Sequence, residues 1–190
     1  MGFFDALLGG KKKLSAPAPD RLFAMTTAQI AIEMEVGLTH KGSAGIVFQP
    51  IATGDFKQIL TDTEELLHGA AQDTGTKIES SEDEFGYRWV ILRDADFEDL
   101  VVSLNTVSTQ LAAGGYGDRL LACVFAFEDS GRPVYLIYNF KRGSFYPFVP
   151  APGQQQRNNE RELQLKAQLA NELPLEPELE RWFPLWDIPL

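Results

Sequence analysis

The most regular stretch of the chain lies between Asp96 and Gly114. Phe97, Leu100, Val101, Leu104, Val107 and Leu111 recur there at helical spacing, Asp96 stands ready to cap the first turn, and Gly114-Gly115 stops the last. A hairpin pattern lies on each side of this helix. Residues 76–81 and 87–92 alternate around the acidic turn Glu82-Asp83-Glu84, and residues 120–128 and 134–140 flank Asp129-Ser130-Gly131. A helix inserted between two hairpins cannot pack alone, so the chain is restricted to helices laid on a largely antiparallel sheet.

The remaining elements extend that plan. Thr26-Thr27-Ala28-Gln29 has the capping-box form and Ile30 and Met34 continue an apolar stripe, which predicts a helix over 26–36. A strand follows over 44–51, closed by Pro50. Asp55, with Gln58 three residues on, starts a second helix that Gly75 bounds. Residues 144–149 add a strand ended by Pro150, Asn159 with Glu162 caps a fourth helix bounded by Pro174, and Pro177 suits the first turn of a short final helix. From the first strand the order is β-α-β-β-α-β-β. That predicts an α+β fold with an antiparallel-rich sheet and helices on one face, in a ferredoxin-like split βαβ order with an N-terminal helix and a C-terminal extension. A secretion-chaperone-like α+β arrangement is the alternative. Ser15-Ala16-Pro17-Ala18-Pro19 reads as an extended linker, so residues 1–19 form a basic leading segment and 20–190 a single α+β domain.

Charge narrows the partners. Acids outnumber bases 27 to 17, and residues 53–99 hold thirteen acids against four bases. Such a surface disfavours phosphate contacts, which excludes nucleic acid as the expected partner. The single cysteine, Cys123, rules out an intrachain disulfide framework and fits a reducing, cytoplasmic setting. No apolar run is long enough to span a bilayer, and Lys11–Lys13 follow rather than precede the first apolar stretch, so no secretory signal is expected.

Motifs for catalysis are scarce. The acids of Arg93-Asp94-Ala95-Asp96-Phe97-Glu98-Asp99 begin like a calcium loop, but Asp99 stands where such a loop needs glycine; a strand end followed by a helix cap explains them. His40 and His68 show no metal spacing with each other or with Cys123, and Cys123 sits in the apolar strand LLACVFAF with no base nearby. No glycine cluster matches a phosphate-binding loop. The chain is therefore expected not to be an enzyme and to need no metal or cofactor.

Three features point to binding. Lys141 and Arg142 precede Phe145, Tyr146 and Phe148 at a hairpin edge. They suit a partner's carboxylates, or else the aromatics pack internally while the cations pair with the acidic 82–99 stretch. Arg181-Trp182-Phe183-Pro184-Leu185-Trp186 has the composition of a docking peptide, and equally that of a tail folding back over an open sheet face. At the N-terminus, Phe3, Phe4, Leu7 and Leu8 fall on one side of a helix and Lys11, Lys12 and Lys13 follow. That pattern suits a short anchor in an anionic membrane interface, each lysine contributing about 1 kcal/mol. The other reading is that the same segment packs on its own domain or simply frays.

Several blocks together carry a resemblance. MGFFDALLGGKKK, FGYRWVILRDADFEDLV, YLIYNFKRGSFYPFVP, RNNERELQLKAQL and LPLEPELERWFPLWDIPL resemble the actinobacterial PspA-associated protein family PspAB. The resemblance implies a place in the phage-shock, membrane-stress context, with PspA or another membrane-stress component as protein partner. It transfers no catalytic residue to any position. The expectation is a non-enzymatic adaptor, cytoplasmic and peripheral at the inner face of the membrane, with residues 3–13 touching lipid and Lys141, Arg142, Trp182, Phe183 and Trp186 touching a partner. The alternative is a small-molecule-binding regulatory module with a polar-lined cavity near Arg93, Lys141 or Tyr146.

Overall fold

A computed structural model describes residues 21–190 apart from Gln154. Its principal elements are α1 (Ala24–Met34), β1 (Thr39–Phe48), α2 (Gly54–Thr74), β2 (Lys77–Glu82), β3 (Arg88–Arg93), α3 (Phe97–Ala113), β4 (Leu120–Asp129), β5 (Arg132–Asn139), β6 (Ser144–Phe148) and α4 (Asn159–Leu169). The strands form one sheet in the order β2-β3-β1-β4-β5-β6, and each neighbouring pair is antiparallel. The class is α+β. Strand β3 lies between β1 and β2, and β5 and β6 carry the sheet onward past β4.

Local chemistry explains where each helix begins. Asp96 caps α3 by accepting from the Glu98 amide at 2.9 Å, and Phe97, Leu100, Val101, Leu104, Val107 and Leu111 are all buried. The cap of α2 is Thr53 rather than Asp55. The Thr53 hydroxyl accepts from the Phe56 amide, and Asp55 sits in the first turn, where the helix dipole favours a carboxylate. The cap of α4 is Asn158, one residue before the expected Asn159, which leaves Glu162 for another role.

Helix α1 departs further from expectation. It starts at Ala24, so Thr26 lies inside it and caps nothing. Its buried stripe is Met25, Ala28 and Ile32, continuous with Leu22 and Leu38, while Ile30 and Met34 are 72% and 81% exposed. The segment carries two apolar stripes, and the one contiguous with flanking core residues goes inward.

Both faces of the sheet are apolar. In β4 every residue from Leu120 to Phe127 is buried. Side chains alternate across a strand, so Cys123, Phe125 and Phe127 face the helices whereas Ala122 and Val124 face the opposite way. Burial pushes the Cys123 thiol well above its ordinary value, which leaves it a packing group. The second face, with Val47, Trp89, Ile91 and Ile137, receives the C-terminal residues Trp182 and Leu185.

The bulge in β1 locks that strand to its neighbour. Register shifts between His40 and Ala44, and Gly42 adopts φ 63 there. Its amide donates to His40 Nδ1 at 3.2 Å and its carbonyl accepts from the Asp94 amide at 3.0 Å. A Cβ on Gly42 would stand 2.7 Å from the Asp94 carbonyl oxygen. Gly42→Ala is therefore expected to lower unfolding free energy by about 2 kcal/mol or more, from left-handed strain plus the clash. Urea denaturation checks this, and a loss under about 0.5 kcal/mol, the range of neutral surface changes, would contradict it.

Candidate partner-contact site

The turn after β5 sets the cations in place. Asn139 Oδ1 accepts from the amides of Lys141 and Arg142 at 3.0 and 3.3 Å, and Gly143 takes φ 62 to re-enter β6. Strand β6 would be a bare edge, but the chain returns beside it. The Phe145 amide donates to the Pro174 carbonyl and the Glu176 amide donates to the Phe145 carbonyl, each at 2.8 Å. These two bonds begin a strap that runs to Leu190 over the second face of the sheet.

Two buried glutamates pin the strap. Glu176 is 2% exposed, and its Oε2 accepts from Arg142 Nε at 3.0 Å and from Ser144 Oγ at 3.3 Å. Its Oε1 accepts from the Glu178 amide at 3.1 Å. Arg142 thus pairs with the tail and not with the acidic 82–99 stretch. The sheet order gives the reason, since β2 and β3 lie at the opposite edge from β6. Glu162, also 2% exposed, accepts from the Val149 amide at 2.9 Å and from Arg157 Nε at 2.9 and 3.0 Å. Arg157 in turn donates to the Trp182 carbonyl at 2.6 Å and lies over the Phe148 ring.

Aromatics complete the contact. Trp182 is 4% exposed, donates its indole N–H to the Glu176 carbonyl at 2.9 Å and stacks on Tyr146 with ring centroids 6.4 Å apart. The Lys166 ammonium lies over the Trp182 ring, 5.6 Å from its centroid. The Tyr146 hydroxyl donates to the Phe183 carbonyl at 3.0 Å, and Trp186 meets Phe148 edge-on at 5.1 Å. At the end of the strap, a Cβ on Gly45 would stand 3.2 Å from Leu190 Cδ2 and 3.4 Å from Trp89. A bare position in β1 lets the tail lie close.

The two constellations read separately in the sequence therefore meet in one place. Arg142 is exposed, Lys141, Phe183 and Trp186 are half-buried, and Trp182 is inside. Glu176 and Arg157 carry no local signature in the sequence, and Glu162 reads there as a helix-cap partner, whereas it binds Arg157 and the Val149 amide. The membrane candidates Phe3, Phe4, Leu7, Leu8, Lys11, Lys12 and Lys13 lie outside the described residues. Among the described residues no helix is long and apolar enough to cross a membrane, and no group of His, Cys, Asp and Glu is placed to hold a metal ion. Asp94 and Asp96 serve the turn and the cap of α3.

Two clefts border the strap. One, of about 330 Å³, is lined by Arg157, Asn159, Glu162, Leu163, Leu179 and Trp182. The other, about 700 Å³, is lined by Pro150, Ala151, Gly153, Gln155, Trp186 and Asp187. Neither is lined by Arg93, Lys141 or Tyr146.

Burial raises the Glu162 carboxyl above its ordinary value, against the lowering effects of Arg157 and the Val149 amide. The folded protein thus holds this proton more tightly than the unfolded chain. The contribution is fully present below the unfolded carboxyl range and is lost as pH rises through the folded value. The stability of wild type relative to Glu162→Gln should accordingly fall as pH rises from about 4. Denaturant melts of both proteins across pH check this, and a difference that grows with pH would contradict it.

No curated protein and no solved structure matches the chain. The family model for PspAB, described as PspA associated protein B, matches residues 1–190, the whole length. The chain belongs to the PspAB family.

Proposed function

We propose that this chain is a non-enzymatic adaptor that associates with PspA in the phage-shock, membrane-stress response. It would act in the cytoplasm, with residues 3–13 making weak contact with the inner face of the membrane. The description of its family supports the choice of partner. The observation that carries the adaptor reading is the use made of the buried charges. Glu162 and Glu176 are committed to Arg157 and Arg142, which fasten the strap, and Tyr146 is committed to the Phe183 carbonyl. These groups serve architecture, and what the strap offers outward is a rim of cations and partly exposed aromatics.

The contact surface we assign is Lys141, Arg142, Phe183 and Trp186, held by Trp182 beneath. Its chemistry suits an acidic partner patch with an apolar centre, where aromatic anchors supply most of the binding energy. A small-molecule module is the second reading, and the cleft of about 330 Å³ beside Trp182 is the observation that favours it. The guanidinium at that cleft already binds Glu162 and the Trp182 carbonyl, which ranks this reading behind the adaptor.

The test is a binding titration of the purified full chain against PspA from the same organism. Lys141→Glu combined with Trp186→Ala should weaken binding by about thirtyfold or more, as loss of a hot-spot aromatic does. Thermal melts establish that the variant remains folded. Unchanged affinity in the folded variant would overturn the assigned surface, and a melting temperature raised by a small molecule with no PspA binding would favour the module.

A further inference from the structure

Helix α1 presents a second apolar stripe directly opposite its core-facing one. Phe23, Thr27, Ile30 and Met34 stand at i, i+4, i+7 and i+11, within a band about 60° wide. Phe23 is 39% exposed, and Ile30 and Met34 are the most exposed of the large apolar side chains among the described residues. Single exposed apolar side chains are ordinary, but three in line along one helix face mark a surface that something covers. The stripe also has an electrostatic direction. Its C-terminal end carries Glu33 and Glu35 with no basic residue in the last turn, and the helix dipole adds negative potential there.

The chain itself contains a segment of complementary pattern. Phe3, Phe4, Leu7 and Leu8 are apolar, and Lys11, Lys12 and Lys13 follow directly. The distance is permitted. The ten residue steps from Lys13 to Phe23 reach at most about 35 Å, and α1 is about 16 Å long. A tether of this kind raises the effective concentration to the order of millimolar, which favours the chain's own segment over a separate copy.

We propose that residues 3–13 dock on the outer stripe of α1 in the same chain. Phe3, Phe4, Leu7 and Leu8 cover Phe23, Ile30 and Met34, and the three lysines lie at the Glu33–Glu35 end. This docking draws on the same apolar side chains as the membrane contact proposed above. The docking itself is independent of that reading and is tested without lipid.

The experiment places a nitroxide on the full chain through Gly9→Cys; Cys123, fully buried, stays unmodified in the folded protein. Methyl spectra of Ile30 and Met34 are compared with the label oxidised and reduced. Both methyl signals should lose more than half their intensity, and they should recover when Phe4→Asp and Leu8→Asp are added to the labelled chain. Broadening that is the same with and without those substitutions, or none at all, would overturn the proposal. Mixing spin-labelled chains with separate isotope-labelled chains provides the other check. Broadening that appears across the two copies would assign the stripe to a second copy and overturn docking within the chain. Adding anionic vesicles then tests the membrane reading separately, since docking can hold while lipid binding fails.

Discussion

The middle of the sheet is apolar on both sides, and nearly everything else in the molecule answers to that condition. Strand β4 is buried at every position from Leu120 to Phe127, and β1 and β5 beside it are buried along most of their length. Helices α1 to α3 cover one face. The other is covered by irregular chain, with Trp182 and Leu185 set against Tyr146, Phe148 and their neighbours. Burying these two side chains contributes about 1.5–3 kcal/mol each, which makes apolar contact the main force holding the strap. The glutamates act differently. A buried carboxylate costs several kcal/mol unless it is paired, and removing one partner of such a pair costs about 3–5 kcal/mol. Glu176 with Arg142 and Glu162 with Arg157 therefore fix the path the strap takes more than they add to its adhesion.

The fold was legible in the sequence wherever its cause was local. Helix α3 is visible because its apolar spacing, its Asp96 cap and its glycine stop all agree. The hairpins show through their turn residues. The caps of α2 and α4 were misplaced because Thr53 and Asp55, or Asn158 and Asn159, are all competent caps, and packing decides between neighbours. Helix α1 misled for a related reason, since it has two apolar stripes and the inner one is chosen by contact with Leu22 and Leu38. The tail was undecidable locally. Arg and Trp are what a docking peptide needs and equally what a covering segment needs, and the choice depends on a sheet face assembled from five strands.

The same sheet order separates the charges. The acids of residues 53–99 lie on α2, β2, the turns on either side of β3 and the start of α3, whereas Arg142 and the strap belong to the β6 edge. One end of the molecule is strongly anionic, whereas residues 132–190 balance seven bases against seven acids and add the aromatic side chains of the strap. For the adaptor role proposed above, such an asymmetry would orient an approaching partner, because complementary potentials set approach and like charges reject the wrong end.

The strap's role in sealing the sheet is the central claim, and a chain ending at Arg181 tests it most directly, read by dye binding to exposed apolar surface together with sedimentation. Removing residues 182–190 should open the face formed by Val47, Trp89, Val124 and Tyr146, so that the shortened chain binds the dye, self-associates and melts well below the full chain. A shortened chain that stays monomeric, binds no dye and keeps the full chain's melting temperature would contradict it.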